Sequence, residues 1–499
     1  MTQESDMKAV SEQRSWWHRI DWLVYILGIV AVIVYVQHGF DGYLNRDRAI
    51  YSYAGQQVAE GVPPYLGILN RAGPLAHVLP GIGVAAARAG GFDDLLGIRL
   101  VFMIFAVASV CVAYLLARDL FASRLAGLAA ATALLSFHGF IEYATHGPRE
   151  KTPMVFFLLC AFWGLVKRRW LIAGVFVSLA ALIWQPSFLV GLAAAGFSLF
   201  GLHSGERLRS MARFVVGGSI PAAVFVVYFI AVGALKEFID AYLLINARYT
   251  TPAPLLTDFA AKWVRMQEGY GITLWVIMAG LLTLPILTIT HIIRGRWRAP
   301  EHISFVAITA ASFVGIAWSF RDFNSWPDAF VLLPFAAIGV GAIAKEITAR
   351  LPAKAALALV LVWTVAAGAV AVTYSRTRRG DRLELQRESV TALLDQLPSD
   401  ATMLSIGAPH PMFLSGMRNP TRHQTFARGL DQYVDDTWPG GLKGFGEWVG
   451  RQEATIIAFG GGRVPSWLRP TINGEYRRVG RAPGWTWFVH RSVASEVLN

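Results

Sequence analysis

The residues best suited to chemistry lie in one charged loop, Asp41–Pro74, which follows the first hydrophobic stretch. Asn45 is a residue type that caps helices, and it predicts a short helix that runs to about Gly61. Asp47 falls in the first turn of that helix, where backbone N–H groups favour a charged carboxylate. The same residue would also suit a solvated loop with a capping acid, so the motif alone leaves both readings open.

The predicted helix is amphipathic. Ile50, Ala54 and Val58 recur at a spacing of four residues and make one apolar stripe. Asp47, Tyr51 and Gln56 lie off this stripe. A helix with one apolar stripe and a polar face can lie in the plane of a membrane surface. We therefore expect a surface helix that presents one carboxylate beside the bilayer.

Composition places the chain in a membrane. It has 499 residues, of which 55% are hydrophobic and 16% charged, whereas a soluble protein carries about a quarter charged residues. Repeated apolar runs of about 17–22 residues indicate a polytopic membrane protein. The formal net charge of +12 does not argue for nucleic acid, because most Lys and Arg fall in short loops between spans. Cys111 and Cys160 lie inside apolar runs, where neither suggests a disulfide or a metal site.

Charge counting predicts about eleven spans. The first is a retained anchor and not a removable signal peptide. The spans are about 21–38, 98–117, 125–140, 152–166, 170–184, 186–202, 214–233, 272–293, 303–319, 327–344 and 355–374. If the apolar segment 75–88 does not cross, every basic cluster between spans faces the cytoplasm, the N-terminus is inside and the C-terminus is outside. A crossing 75–88 segment, balanced by one misjudged pair elsewhere, is the alternative.

This topology gathers the unusual polar residues in the loops predicted to face outward. They are Asp47, Glu142, His146, Arg149, Glu150, Lys151, Gln185, Arg248, Tyr249, Arg321 and Asp322. The inner loops are short and basic, with little else. We therefore expect a functional cavity at the outer face of the membrane.

The tail has a different composition and is the candidate soluble domain. It divides the chain into a membrane domain, 1–374, and an extracytoplasmic domain, 375–499. Its pattern predicts a small α/β unit, with helices at 382–397 and 444–452 and strands at 402–406, 455–459 and 485–490. Gly460–Gly462 follows a strand but lacks the Lys-Ser/Thr of a phosphate loop, so we expect a tight turn there.

Short motifs in the membrane part resemble those of the bacterial GT-C glycosyltransferases, of the protein mannosyltransferase and aminoarabinose transferase type. The matching residues are Asp47, Tyr53, Gln57, Pro64-Tyr65, Gly73-Pro74-Leu75, Gly147-Pro148-Arg149-Glu150-Lys151, and Arg321 ahead of Trp326-Pro327 and Leu333-Pro334. The resemblance implies a membrane all-α bundle of the GT-C type. Three departures bear on the donor sugar and on any metal: Arg48 and Asp328 stand where many relatives have Glu and His, and Ala72, preceded by Arg71, stands where many have Lys.

The resemblance also implies the reaction. The donor would be a sugar joined through phosphate to a long polyprenol, and the acceptor a glycan, lipid or protein of the cell envelope. A lipid phosphate leaves without a general acid, so an inverting transfer needs one carboxylate to take the proton of the acceptor hydroxyl. We assign Asp47 as this base. The reaction is expected at the outer face of the inner (plasma) membrane, among membrane lipids and without nucleic acid.

Further site residues follow from the same reading. Cationic side chains stabilise a departing phosphate, and the candidates are Arg149, Lys151, Arg248 and Arg321. Each of these could instead anchor lipid headgroups. The candidates for contact with substrate are Tyr51, Tyr53, Gln57, Tyr65, Arg71, Glu150 and Asp322. Glu150 could equally form an ion pair with Arg149 or Lys151, and interfacial Tyr is common in any membrane protein.

No cofactor is expected, and a divalent metal has little support, because the sequence has no Asp-x-Asp motif. Two other functions stay open. A transporter or flippase of lipid-linked sugar would show an inverted repeat or a matched pair of broken spans, and neither is visible. A non-catalytic envelope assembly factor that has kept the fold is compatible with Arg48 in place of an acid.

Overall fold

The computed structural model describes residues 21–250, 258–299, 302–321, 323–380, 382–427 and 429–497. A helical bundle forms the first part of the chain. Its α-helices are α1 Trp22–His38, α2 Arg46–Ala59, α3 Leu75–Gly90, α4 Asp94–Phe121, α5 Arg124–Ser136, α6 His138–Thr145, α7 Lys151–Val166, α8 Trp170–Ala181, α9 Ser187–Ser198, α10 Ser204–Ala231, α11 Leu235–Ile239, α12 Phe259–Tyr270, α13 Thr273–Ile293, α14 Ile303–Arg321, α15 Leu333–Thr348 and α16 Ala353–Thr377. Short 3₁₀-helices, Leu199–Gly201 and Trp326–Leu332, and a π-helix, Asp240–Tyr249, connect some of them.

Every predicted span is helical, but not every helix is long enough to cross a bilayer alone. Among the described residues, six helices are long and apolar enough, or seven if α5 and α6, which meet at a 66° bend, form one broken span. The helices α1, α7, α8 and α9 are apolar but shorter. The count of eleven spans is therefore not confirmed. The segment 75–88 lies in α3, a 16-residue helix that is too short to be a candidate span.

The helix predicted after Asn45 is present as α2, and the Asn45 side chain accepts a hydrogen bond from the Arg48 N–H at 3.0 Å. It is packed on two sides and not laid on an open surface. On one side Gly55 approaches α3 so closely that a Cβ would overlap Pro80. On the other side the C-terminal part covers the polar face of the helix, where the Gln56 amide donates to a carbonyl of that part. Gln56, one of the polar residues off the apolar stripe, is thus buried by a partner that local periodicity does not reveal.

The C-terminal part is the expected small α/β unit. Its elements are α17 Leu383–Leu394, β1 Met403–Ile406, α18 Pro409–Ser415, α19 Leu430–Thr437, α20 Gly441–Arg451, β2 Ile456–Phe459, α21 Arg469–Glu475, β3 Tyr476–Ala482, β4 Trp485–His490 and α22 Arg491–Val497. The sheet order is β1-β2-β4-β3, with β1 and β2 parallel and the other pairs antiparallel. The prediction missed β3, because this edge strand carries three arginines and lacks an apolar alternation.

The two parts share a hydrophobic core. Leu44 and Tyr53, from the loop before α2 and from α2 itself, belong to the same buried cluster as Met412 and Trp485 of the C-terminal unit. The Gln386 side chain of α17 exchanges two hydrogen bonds of 2.9 Å with the backbone of Leu44. The C-terminal unit therefore packs directly on the loop that carries Asp47.

Candidate active site

Asp47 lies in the first turn of α2, and the Arg149 guanidinium donates to its carboxylate at 2.5 Å. The Asp47 side chain is 44% exposed, whereas that of Arg149 is 9% exposed. Burial alone would raise the pKa of the Asp47 carboxyl, but the Arg149 guanidinium, helped by the positive charges of Arg46 and Lys151, holds the pKa below its ordinary value. Asp47 is therefore an ionised and accessible acid, fixed by a buried cation.

A row of alternating charges runs on from this pair, and we call it the charged row: Asp47, Arg149, Glu150, Lys151 and Asp328. The Arg149 Nε lies 3.3 Å from a Glu150 oxygen, and Lys151 pairs with Asp328. The other Asp328 oxygen accepts from the backbone N–H of Asn324 at 2.7 Å. Glu150 therefore forms an ion pair with Arg149, which was one of the two roles predicted for it. The row joins the loop before α7 to the start of the 3₁₀-helix Trp326–Leu332.

Arg99 of α4 holds the two loops that meet at Asp47. It is fully buried, and its guanidinium donates to the carbonyls of Phe40, Gly42 and Gly147. The first two carbonyls belong to the loop after α1, and the third belongs to the loop before α7. One side chain thus sets the distance between the segments that carry Asp47 and Arg149.

A second network lies beside the first. Arg48 donates to the Glu142 carboxylate at 2.6 Å, and its guanidinium lies 4.7 Å from the centre of the Tyr143 ring. The Arg149 guanidinium lies 5.8 Å from the same ring. Tyr143 therefore separates two arginines, each bound to an acid. Arg48, one of the three departures from the family pattern, is the buried partner of Glu142.

One trio among the described residues has the donor atoms for a metal. A ring nitrogen of His38, one of His146 and a carboxylate oxygen of Glu142 all lie within 4.8 Å of one another. His38 Nδ1 is also 3.3 Å from the Ser375 carbonyl, a contact of the kind that orients metal-binding imidazoles. The Arg48 guanidinium already occupies the Glu142 carboxylate, however, and its positive charge opposes the entry of a second cation.

The turn after α8 adjoins the Lys151 side chain and the Arg71 backbone. The Lys151 ammonium lies 5.1 Å from the centre of the Trp184 ring. The Gln185 and Asn246 amides donate to the Arg71 carbonyl at 3.0 and 2.9 Å. The Lys151 ammonium and the Arg71 backbone therefore adjoin the turn formed by Trp184 and Gln185, whereas the Arg71 guanidinium donates to the Thr250 hydroxyl at 2.9 Å.

Comparison with known proteins agrees with this fold. Residues 86–235 match the family model described as dolichyl-phosphate-mannose-protein mannosyltransferase. ArnT from Cupriavidus metallidurans in the apo state has a similar structure, with a TM-score of 0.64 and 13% identity over 95% of this chain and 98% of that chain. These findings show that the chain shares the fold of ArnT, and that residues 86–235 are similar to the mannosyltransferase family.

Two further solved structures share the GT-C fold. ArnT from the same organism bound to undecaprenyl phosphate matches with a TM-score of 0.61 and 12% identity, over 93% of this chain and 97% of that chain. The apo oligosaccharyltransferase of Archaeoglobus fulgidus matches with a TM-score of 0.55 and 13% identity, over 89% of this chain and 70% of that chain. No curated protein sequence matches the chain.

The GT-C fold brings five of the predicted site residues together. Asp47, Arg149, Glu150 and Lys151 belong to the charged row, and Tyr51 lies one turn of α2 further on, beside Glu150. Burial raises the pKa of the Tyr51 phenol well above its ordinary value, and the Glu150 carboxylate adds to this. The Tyr51 hydroxyl is therefore a neutral hydrogen-bond donor next to the Glu150 carboxylate.

Three other predicted residues are structural in their contacts. Tyr53 is fully buried, and its hydroxyl accepts from the Asn419 N–H of the C-terminal unit at 2.9 Å. Gln57 is buried, and its amide donates to the side chain of Glu60, the residue that follows α2. Tyr65 is buried and donates to a backbone carbonyl seven residues on. None of these contacts involves the Asp47–Arg149 pair.

The remaining predicted cations lie apart from the charged row. Arg248 is exposed on the π-helix, and Arg321 is exposed at the end of α14, with its guanidinium 5.8 Å from the Trp318 ring centre. Among the described residues neither forms an ion pair with an acid of the site. Asp322 lies outside the described residues.

Sequence reasoning gave no role to Asp328 or Arg48, which it treated only as departures from a family pattern. Asp328 lies between a Trp-Pro pair and a long apolar run, and Glu142 lies inside an apolar stretch. An ionisable residue in such a setting is expensive to bury without a partner. That signal would have marked both acids as members of an ion-pair network.

Proposed function

We propose that this membrane glycosyltransferase moves a sugar from a polyprenyl-phosphate donor to a cell-envelope glycan, lipid or protein, by inversion, with Asp47 as the general base. The observation that carries the proposal is the Asp47 carboxylate itself, which is exposed, ionised and fixed by Arg149 inside a GT-C fold. Such a carboxylate suits proton abstraction from an acceptor hydroxyl.

The reaction balances with few participants. The acceptor oxygen attacks the anomeric carbon of the sugar, its proton passes to Asp47, and the bond from that carbon to the phosphate oxygen breaks with its electron pair on the phosphate. Cations stabilise this leaving charge. We assign that role to Arg149 and Lys151, and keep Arg248 and Arg321 as outlying candidates that approach only with substrate.

A lipid-linked donor is supported by the relatives. The matching family is named for dolichyl-phosphate-mannose, and one of the similar ArnT structures holds undecaprenyl phosphate. We propose that the chain uses a carrier of the same chemical class. The sugar and the acceptor are not defined by this likeness.

We propose that the site faces away from the cytoplasm. Asp21, at the start of α1, pairs with Arg118, and Lys167 pairs with Asp119, so these basic loop residues gather at one end of the bundle. His38, at the other end of α1, contacts the network beside Asp47. Basic loops mark the cytoplasmic side of membrane proteins, which supports a site on the side away from the cytoplasm. We accordingly propose a membrane domain at 1–374 and an extracytoplasmic domain at 375–499.

Replacement of Asp47 by Asn tests the proposal. A strain that lacks the gene should accumulate a sugar-linked polyprenyl phosphate, and mass spectrometry of its lipids would identify that sugar. The wild-type gene should clear the lipid, whereas Asp47→Asn should transfer at least about a hundredfold more slowly, because a general base contributes on this order.

Asp93→Asn is the matched control. It changes the same chemical group near the same surface, where the Asp93 side chain caps α4, and Asn also caps helices. The control should clear the lipid at the wild-type rate. Clearance by Asp47→Asn at that rate, with normal insertion into the membrane, would remove Asp47 as the base.

A further inference from the structure

The loop between α13 and α14 carries the sequence Arg294-Gly295-Arg296-Trp297-Arg298, in which every second residue is an arginine. All three arginines are exposed. Gly295 has a φ of +66° and follows α13 in the left-handed conformation that glycine adopts without strain. Just before α14, the His302 ring stacks on the His291 ring, with 3.9 Å between their centres. The three guanidinium groups therefore belong to one short loop whose ends are held together.

This loop lies at the end of the bundle opposite Asp47. The Phe305 ring of α14 is 5.8 Å from the Phe121 ring, at the end of α4, and 6.2 Å from the His291 ring. Phe121 is two residues beyond Asp119, whose ion pair lies at the basic end of the bundle. A ligand bound at the loop would therefore be remote from the proposed base.

The start of α10 adds a fourth arginine beside the loop. The Arg207 Nε donates to the Leu202 carbonyl at 3.0 Å, directly after the 3₁₀-helix Leu199–Gly201. Phe200 of that 3₁₀-helix has its ring centre 6.3 Å from that of Trp297 in the loop. The connection between α9 and α10 therefore adjoins the connection between α13 and α14.

These four arginines differ from two basic residues already described at the same end of the bundle. Arg118 and Lys167 pair with Asp21 and Asp119, whereas none of the four forms a salt bridge with an acid that the structure describes. Several unneutralised guanidinium groups attract an anion, and their geometry suits phosphate oxygens. With Trp297 we call them the basic loop site: Arg207, Arg294, Arg296 and Arg298.

Apolar side chains border the basic loop site. Ile293, directly before Arg294, is 79% exposed, and Phe200 is 44% exposed. Trp297 is half-buried, and the Arg298 guanidinium lies 4.6 Å from the centre of its ring. Tryptophan and long basic side chains are typical of the boundary between the acyl chains and the headgroups of a bilayer. The site therefore offers an apolar surface next to a cationic one.

An anionic phospholipid combines the groups that match these two surfaces. We propose that the basic loop site binds the headgroup phosphate of such a lipid, with the acyl chains along Phe200 and Ile293. A free phosphate or an acidic peptide would match the charge of the site, but it would leave the two exposed apolar side chains without a partner. The proposal does not depend on the transfer reaction, which we place at the other end of the bundle.

Binding of defined lipids to the purified full chain in detergent tests this proposal. The probes are dioleoyl phosphatidylglycerol, dioleoyl phosphatidylcholine, inorganic phosphate and a hexaglutamate peptide, and native mass spectrometry measures the bound fraction over a concentration series. Phosphatidylglycerol should bind at least about tenfold more tightly than phosphatidylcholine. Arg296→Gln/Arg298→Gln should weaken phosphatidylglycerol about tenfold, since a lost charged hydrogen bond is worth about that factor. Arg296→Lys/Arg298→Lys should retain most of the affinity, because it keeps both charges.

Arg168→Gln/Arg169→Gln is the matched control, because it removes two exposed arginines from the loop after α7, at the same end of the bundle. It should leave the affinity for phosphatidylglycerol unchanged. Equal loss in the control would reduce the effect to a general attraction of anionic lipid by this end of the bundle. Equal binding of phosphatidylcholine would show that the headgroup charge is not recognised. Phosphate or hexaglutamate that binds as tightly as phosphatidylglycerol, and is lost in Arg296→Gln/Arg298→Gln, would replace the lipid with a soluble anion.

The binding experiment and the Asp47→Asn experiment examine opposite ends of the bundle. Loss of the lipid proposal would leave the transfer result standing, and normal transfer by Asp47→Asn would leave the lipid result standing. The two proposals can therefore fail separately.

Discussion

Asp47 is the most exposed member of the charged row. Its side chain is 44% exposed, against 9% for Arg149, 6% for Glu150, 5% for Lys151 and 8% for Asp328. A base must reach the acceptor, whereas the groups that hold it gain from burial, because their mutual attraction is stronger away from water. This division of exposure separates the proposed base from its supports.

The pKa of Asp47 gives a prediction at the level of one residue. Arg149 holds this pKa below its ordinary value, so the base stays ionised to a lower pH than a free aspartate would. Arg149→Gln removes that effect, and the acidic limb of kcat/KM should move upward by about one pH unit or more. The pH profile of transfer measures this. Arg294→Gln, which changes an exposed arginine after α13, should not move the limb.

At the level of elements, the Lys151–Asp328 pair joins α7 to the 3₁₀-helix that precedes α15. Both side chains are buried, so Lys151→Met should leave an uncompensated Asp328 and cost about 3 kcal/mol of stability. Lys151→Met/Asp328→Asn should recover a large share of this loss. Thermal unfolding of the three proteins measures the coupling energy.

Activity separates the structural role of this pair from the catalytic one. If Lys151 also stabilises the leaving phosphate, the double variant should be stable and still slow in transfer. A double variant that transfers at the wild-type rate would limit Lys151 to holding the two elements together. Stability that does not recover would show that Asp328 depends on other partners, such as the Asn324 N–H.

The elements could be predicted from the sequence far better than their contacts. Apolar runs mark spans by composition alone, and Asn45 marks the start of α2 by its capping chemistry. The pairing of Lys151 with Asp328 could not be predicted, because the two residues are 177 positions apart. Tyr53 and Gln57 were predicted to contact substrate because they lie on a polar helix face next to an acid. The local sequence gives no sign of the C-terminal unit that covers this face.

At the level of the whole molecule, the C-terminal unit forms part of the site's frame. It buries the polar face of α2 through Gln56 and Tyr53, and Arg418 pairs with Glu60 near the end of that helix at 2.9 Å. The proposed base lies at the start of the same helix. We therefore expect the C-terminal unit to set the orientation of α2, in addition to any contact that it makes with the acceptor.

Gln386 tests this expectation. Its fully buried amide donates to the carbonyls of Leu44 and Pro483 and accepts from the Leu44 N–H, at 2.8–2.9 Å. Gln386→Leu has a similar size but leaves these backbone groups unpaired, which should cost about 1–3 kcal/mol. The segment before α2 should then exchange its amide hydrogens faster, and transfer should slow several-fold, because Asp47 is held less firmly relative to the donor.

Hydrogen exchange at residues 42–47 and the rate of transfer should change together in this variant. Gln396→Leu is the control, since Gln396 is exposed and its amide donates to Ala392 four residues back. Normal transfer by Gln386→Leu despite faster exchange would show that the position of Asp47 does not depend on this contact. We propose that Gln386 affects Asp47 only through the Leu44 backbone. Slower transfer with unchanged hydrogen exchange would therefore contradict this explanation.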